Sequence, residues 1–222
     1  TILVFVADHG DFVGEYGLMR KGPEVPEALM RVPMIWAGPG ITAREGAHAA
    51  HASLADVMPT LCEALGISLP DGVQGRSLWP MLAGRPYPEA EFESVYAEQG
   101  FGGLHYTQED DIVALEEDGL NPEVSFDCLN SRSQSGIMRM VRKGDWKLAF
   151  DMQGRGQLHN LVDDPVELEN LYGKPEVVHI QMEMLEDLLA WSLRVQDPLP
   201  LPVRRYVMKT DPRNYWSPYR TS

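Results

Sequence analysis

An α/β fold followed by a smaller α+β unit is what this sequence predicts, and three observations predict it. Thr1-Ile2-Leu3-Val4-Phe5-Val6-Ala7 is a continuous apolar run without alternation, the pattern of a strand covered on both faces in a parallel sheet. The second half carries short strand-like segments separated by Gly, Asp and Asn turns, as an antiparallel sheet requires. Near the end, Val177, Ile180, Met184, Leu188, Trp191 and Val195 recur at spacings of three and four, the seam of one long helix.

Taken in order, the first strand is followed by a second buried one at 32–37, ended by Gly38-Pro39-Gly40. A chain seldom begins inside a buried strand, so Thr1 reads as a truncation or cleavage point. A helix is predicted near Ser53, with Leu54, Val57, Met58, Leu61 and Leu65 on one face. Ser53 or Asp56 caps it, Gly66 stops it, and Pro59 is tolerated if the helix begins late, near Asp56. The Gly- and Pro-rich stretch 70–88 is a loop around a short turn at 78–82 and marks a boundary. It divides the chain into a unit over 1–88 and a second over 89–222. In the second, strands are predicted at 94–98, 136–142, 146–150 and 157–161, with a polar insertion at 107–135. The helix spans Pro175 to about Arg194, and an irregular proline-rich tail follows Asp197.

The bulk numbers narrow the function classes. Nineteen basic against 33 acidic side chains give a formal net charge of −14, which argues against nucleic-acid binding. A small anionic substrate remains compatible, because one pocket can be locally positive. No apolar run is long enough to cross a membrane. Cys62 and Cys128 are the only cysteines and read as free thiols; the compartment stays open.

The chemistry concentrates at Asp8-His9-Gly10, directly after the first strand, where ligands bind in open α/β sheets. A carboxylate and an imidazole side by side can ligate a divalent cation, and Gly10 lets the backbone approach closely. The same stretch continues through Asp11, Gly14-Glu15-Tyr16-Gly17-Leu18 and Arg20-Lys21-Gly22-Pro23 to Glu27-Ala28-Leu29-Met30-Arg31-Val32-Pro33. It resembles the second half of the sulfatase signature. Further matches follow in order: 56–61, Gly75-Arg76-Ser77-Leu78-Trp79, the segment 139–148 ending in Trp146-Lys147-Leu148, and Gln157-Leu158-His159-Asn160-Leu161 with Asp164-Pro165-Val166-Glu167.

What the resemblance implies is the C-terminal part of an alkaline-phosphatase-like α/β sandwich, followed by a smaller domain with an antiparallel sheet and a C-terminal helix. It implies Asp8 and His9 as ligands of a divalent metal ion, Ca²⁺ first, with His9 and Lys21 in the catalytic set. Lys21 would hold the sulfate oxygens, and a hard cation with an ammonium is what a developing sulfate charge needs. His105, in Gly102-Gly103-Leu104-His105-Tyr106, is a weaker candidate for substrate contact, whereas His48 and His51 read as surface or capping residues. The substrate class is a sulfated small molecule or sugar. The partner would be a preceding N-terminal half or a second copy of the chain.

The sequence also departs from the family. Pro26 stands where an aromatic residue is usual, and His159-Asn160 replaces Tyr-Asp. The Cys/Ser-x-Pro-x-Arg segment, whose first residue becomes formylglycine, is not among the 222 residues. Cys128-Leu129-Asn130-Ser131-Arg132 has Asn130 in place of the proline and lies after the Asp-His pair, so it is a chance match. The expectation is therefore a sulfuric ester hydrolase that is inactive as this chain alone. The alternatives are a phosphodiesterase or phosphonate monoester hydrolase of the same superfamily, and a non-catalytic interaction module.

Overall fold

The computed structural model describes residues 1–21, 24–102 and 136–196. Two small antiparallel ladders form the first part. Strand β1 (Leu3–Val6) pairs with β4 (Met34–Ala37), and between them β2 (Phe12–Val13) pairs with β3 (Met19–Arg20), followed by one helical turn, α1 (Glu27–Met30). The expected doubly covered parallel pairing is not what forms. The apolar runs at 1–7 and 32–37 join each other antiparallel, and Leu3, Phe5 and Ile35 are more than half exposed. Periodicity reported the strands' appetite for burial on both faces; it carried no information on their direction or on what covers them.

Helix α2 (Val57–Leu65) starts as its sequence requires. Ser53 and Asp56 form a reciprocal capping box over the preceding 3₁₀ turn, Pro59 falls in the first α-helical turn, and Gly66 closes the end with φ 66°. Its apolar face is not the buried one, however. Met58 and Leu65 are exposed, while Asp56, Pro59 and Thr60 are buried. The reason lies in hydrogen bonding: the Leu78 backbone N–H donates to Thr60 Oγ1 at 2.8 Å, and Thr60 donates to the Asp56 carbonyl at 2.5 Å. The predicted short turn is α3 (Trp79–Leu82), which packs Leu78 and Met81 against Phe92.

The second part is a four-stranded antiparallel meander in sequential order, β5 (Ser94–Gly102), β6 (Gly136–Lys143), β7 (Trp146–Asp151) and β8 (Gly156–Asn160). A 3₁₀ turn at Pro175–Val177 leads into α4 (Val178–Arg194). Alternation at every second residue sorts the sheet into two faces. Val141, Leu148 and Leu158 meet Met184, Leu188 and Trp191 of α4, so the predicted seam is the main core. The opposite face carries Met140 and Ala149, which pack on Val25 with Met30 and Met138 at its edge. The sheet is thus sandwiched between its own helix and the segment containing α1.

A buried ion pair inside the first part reaches the second through its guanidinium. Arg76 and Asp56 are 1% and 2% exposed at their side chains, with Nη2 3.3 Å from Oδ2. Asp56 also accepts the backbone N–H groups of Arg76 and Ser53. The guanidinium donates to the carbonyls of Glu91 and His51 and lies 4.5 Å from the Phe92 ring centre. Gly75 permits this approach, because a Cβ there would collide with the Ala55 carbonyl. Cys62 is a free, half-buried thiol. Among the described residues, no helix is long and apolar enough to cross a membrane. His105, Cys128–Arg132, the insertion at 107–135 and the tail after Asp197 lie outside the described residues.

Candidate functional site

Asp8 and His9 emerge at the end of β1, where the chain turns toward the β2–β3 hairpin. Gly10 fixes that turn. Its N–H donates to the Leu29 carbonyl at 2.9 Å, and a Cβ at this position would drive into the Ala28 carbonyl. Glycine is therefore required by close packing against α1, and the motif is tied directly to that helical turn.

The two side chains converge. Asp8 Oδ2 stands 3.5 Å from His9 Nε2, while Asp8 Oδ1 accepts the His9 backbone N–H at 3.0 Å. His9 Nδ1 lies 2.7 Å from the Gly10 carbonyl and 3.8 Å from Asp11 Oδ1. A carbonyl only accepts, so Nδ1 is the donor in this contact and Nε2 is turned toward the Asp8 carboxylate. That is the arrangement by which a metal-ligating histidine is held through its other nitrogen. Asp8 is 87% exposed and His9 35%. The Asp8 carboxyl is held below its usual range, first by the His9 backbone N–H and its own, then by the charges of His9 and Lys21. The carboxylate is thus ionised and open to a ligand.

These donors fit part of a cation shell. A hard cation such as Ca²⁺ takes about six to eight ligands, so one carboxylate and one imidazole are a minority share. Among the described residues no group of three His, Cys, Asp or Glu side chains could hold a metal ion. Lys21 follows β3, is exposed, and lies close enough for its charge to bear on Asp8. The structure therefore brings three of the four sequence candidates to one end of the β1–β3 region; the fourth, His105, is not described.

His51 is expected in a surface or capping role, and its contact is with a backbone N–H. It is half-buried and its Nε2 accepts the Gly144 N–H at 3.1 Å, clipping the β6–β7 turn to the first part. His48 is exposed and paired with Arg44, in keeping with a surface role.

A charged cluster escaped the functional reading of the sequence. Lys147, the second residue of β7, is 2% exposed and lies 2.7 Å from Glu167 and 3.4 Å from Glu27. Glu27 also pairs with Arg142 of β6, and its backbone N–H donates to Glu167 Oε2 at 2.6 Å. The signal was present in sequence: a lysine inside the apolar run Trp146–Phe150 needs a buried anion. Beside this cluster a cavity of about 240 Å³ is walled by Tyr16, Leu18, Val25, Gln157 and His159, among others, and by none of Asp8, His9 or Lys21.

Residues 1–67 match the family model described as Sulfatase. Over 178 residues, covering 79% of the chain, the sequence is 33% identical to a choline-sulfatase of Rhizobium meliloti. These matches support a sulfatase-family assignment. The sulfatase relationship extends to solved structures. A 2-O GAG sulfatase superposes with a TM-score of 0.67 at 26% identity, over 89% of this chain and 37% of that one. The fold is shared as well with the phosphonate monoester hydrolase of Agrobacterium radiobacter, at a TM-score of 0.65, 22% identity, and 90% and 36% coverage. These are alkaline-phosphatase-like α/β folds. The chain spans 28% of the length of the choline-sulfatase, so it corresponds to a minor share of such enzymes.

Proposed function

We propose that this chain contributes the Asp8–His9 metal ligands and the sulfate-holding Lys21 to a sulfuric ester hydrolase, as the C-terminal portion of that enzyme. The observation that carries the reading is the convergence of Asp8 Oδ2 and His9 Nε2 at 3.5 Å, with the imidazole held through Nδ1 by the Gly10 carbonyl. The family assignment supports it, since the relatives named above are sulfatases.

In this reading Asp8 and His9 would hold a Ca²⁺ ion, which when bound supplies positive charge opposite the sulfate oxygens. The Lys21 ammonium donates to those oxygens and stabilises the charge that grows on them during ester cleavage. The carboxylate and the imidazole act as ligands of the cation in this reading, so neither serves as the proton donor. The nucleophile, a formylglycine, belongs to a segment other than these 222 residues, and the isolated chain is accordingly inactive. The division at 88/89 is part of the same reading: the first unit carries the site and the second backs it. The substrate is a sulfated small molecule or sugar, in line with the choline-sulfatase and the 2-O GAG sulfatase.

The test is an assay of the intact protein on choline sulfate, a 2-O-sulfated uronate disaccharide and a phosphonate monoester. Turnover of a sulfate ester, reduced about 100-fold or more in kcat/KM by Lys21→Ala, is the expected result. A strong preference for the phosphonate monoester would transfer the assignment to the hydrolase class whose fold is shared. No turnover of either ester would leave the interaction-module reading.

A further inference from the structure

Asp8 is largely exposed and His9 only partly buried, so their own packing does little to fix their place. The hydrogen bond from Gly10 N–H to the Leu29 carbonyl, at 2.9 Å, anchors the pair to α1. The anchor is in turn only four residues long, too short to hold its position by helix formation alone. Its N-terminal residue is Glu27, and Glu27 is where the sheet takes hold.

Three groups grip Glu27 from two directions. Arg142 of β6 and Lys147 of β7 pair with its carboxylate, and Glu167 accepts its backbone N–H at 2.6 Å. Glu167 also pairs with Lys147 at 2.7 Å, which closes a ring of three residues, Glu27, Lys147 and Glu167, to which Arg142 is joined through the Glu27 carboxylate. Lys147 is 2% exposed and Glu167 7%, so the ring is shielded from water and its geometry is narrowly defined. Val25 and Leu29, both buried, add apolar contact on either side of Glu27. The path from the sheet to the motif is thus continuous: β6 and β7, then Glu27, then α1, then Gly10, then Asp8 and His9.

We infer that Glu27, gripped by Arg142, Lys147 and Glu167, is a positioning residue for the Asp8–His9 cation site. This rests on the proposed role of Asp8 and His9 as ligands. Breaking the ring frees α1, lets Gly10 drift, and spoils the convergence of the two donors without touching either of them. A ring needed only for folding would alter stability and leave cation affinity in the folded protein unchanged.

The test uses the intact protein, Ca²⁺ alone as the ligand, and calorimetric titration well below the unfolding temperature. Glu27→Gln keeps the shape and removes the charge. It should weaken Ca²⁺ binding about 10- to 100-fold, the usual effect of losing a support behind the ligands. Amide exchange over residues 8–12 should quicken in the same variant, reporting the loosened Gly10 anchor. Unchanged affinity and exchange alongside a lowered Tm would overturn the inference and leave the ligand assignment standing. Asp8→Ala is the control. If it binds Ca²⁺ as tightly as the unmodified protein, or if the unmodified protein binds none, the ligand assignment falls and this inference falls with it. If Glu27→Gln does not fold, Glu167→Gln, which loosens the ring from its other side, decides by the same two readouts.

Discussion

Replacing Arg76 by methionine should destabilise the protein strongly. The side chain is 1% exposed, and its removal strands Asp56, itself 2% exposed, without its cation. Removing one member of a buried pair costs about 3–5 kcal/mol. The lower half of that range is favoured here, because Asp56 keeps the backbone N–H groups of Ser53 and residue 76. Against this, the carbonyls of His51 and Glu91 lose their donor, and the contact with the Phe92 ring disappears. At about 2–4 °C per kcal/mol for a chain of this size, the expected drop in Tm is about 6–20 °C. Calorimetry on the intact protein, with urea unfolding beside it, measures the loss. Arg76→Lys should recover little, since one ammonium cannot reproduce a planar fork that serves a carboxylate and carbonyls at once. A loss below about 1 kcal/mol for Arg76→Met, the level of an exposed pair, would refute the reasoning.

Three further outcomes are expected. Burial, followed by the charges of Arg142 and Arg76, holds His51 below its ordinary pKa of 6.5, so the folded state keeps it neutral while the unfolded chain takes up a proton. Its contribution to stability is therefore complete above pH 6.5 and is lost as pH falls from there toward the depressed folded value; urea midpoints between pH 5 and 8 should show this, and His51→Gln should flatten it. Gly10→Ala should lower stability by about 1–3 kcal/mol through its clash with the Ala28 carbonyl, and should weaken Ca²⁺ binding in the same titration. Ca²⁺ at about 100 times its Kd should raise stability by about 2.7 kcal/mol, an effect that chelation reverses and Asp8→Ala removes.

Much of this architecture was legible in the residues, and the exceptions have a common cause. Strands β5 to β8 and helix α4 could be read because each carries its own period and ends at its own turn residues. The capping box at Ser53 and Asp56 and the stop at Gly66 were local for the same reason. Asp8, His9 and Lys21 were legible as a motif, and the hydrogen bond that orients His9 lies within that motif. The antiparallel pairing of β1 with β4 was not legible, because burial appetite does not encode direction. The buried face of α2 was misread because Asp56 and Thr60 are polar; their partners, Arg76 and the Leu78 N–H, lie about twenty residues away. The Glu27–Lys147 contact spans 120 positions, a distance at which no pattern along the chain can announce a partner.

Strand β7 has a consequence for how the protein tolerates variation. Leu148 faces the closing helix, whereas Lys147 and Ala149 face the segment that carries the motif. Neighbouring positions on one strand therefore answer to different masters. A scan of β7 should read out in alternation, helix-facing changes registering in abundance of folded protein and the others in performance of the site. Lineages are free to remodel the helix interface by compensating changes between Leu148 and α4 alone, while Lys147 can change only in step with Glu27 and Glu167.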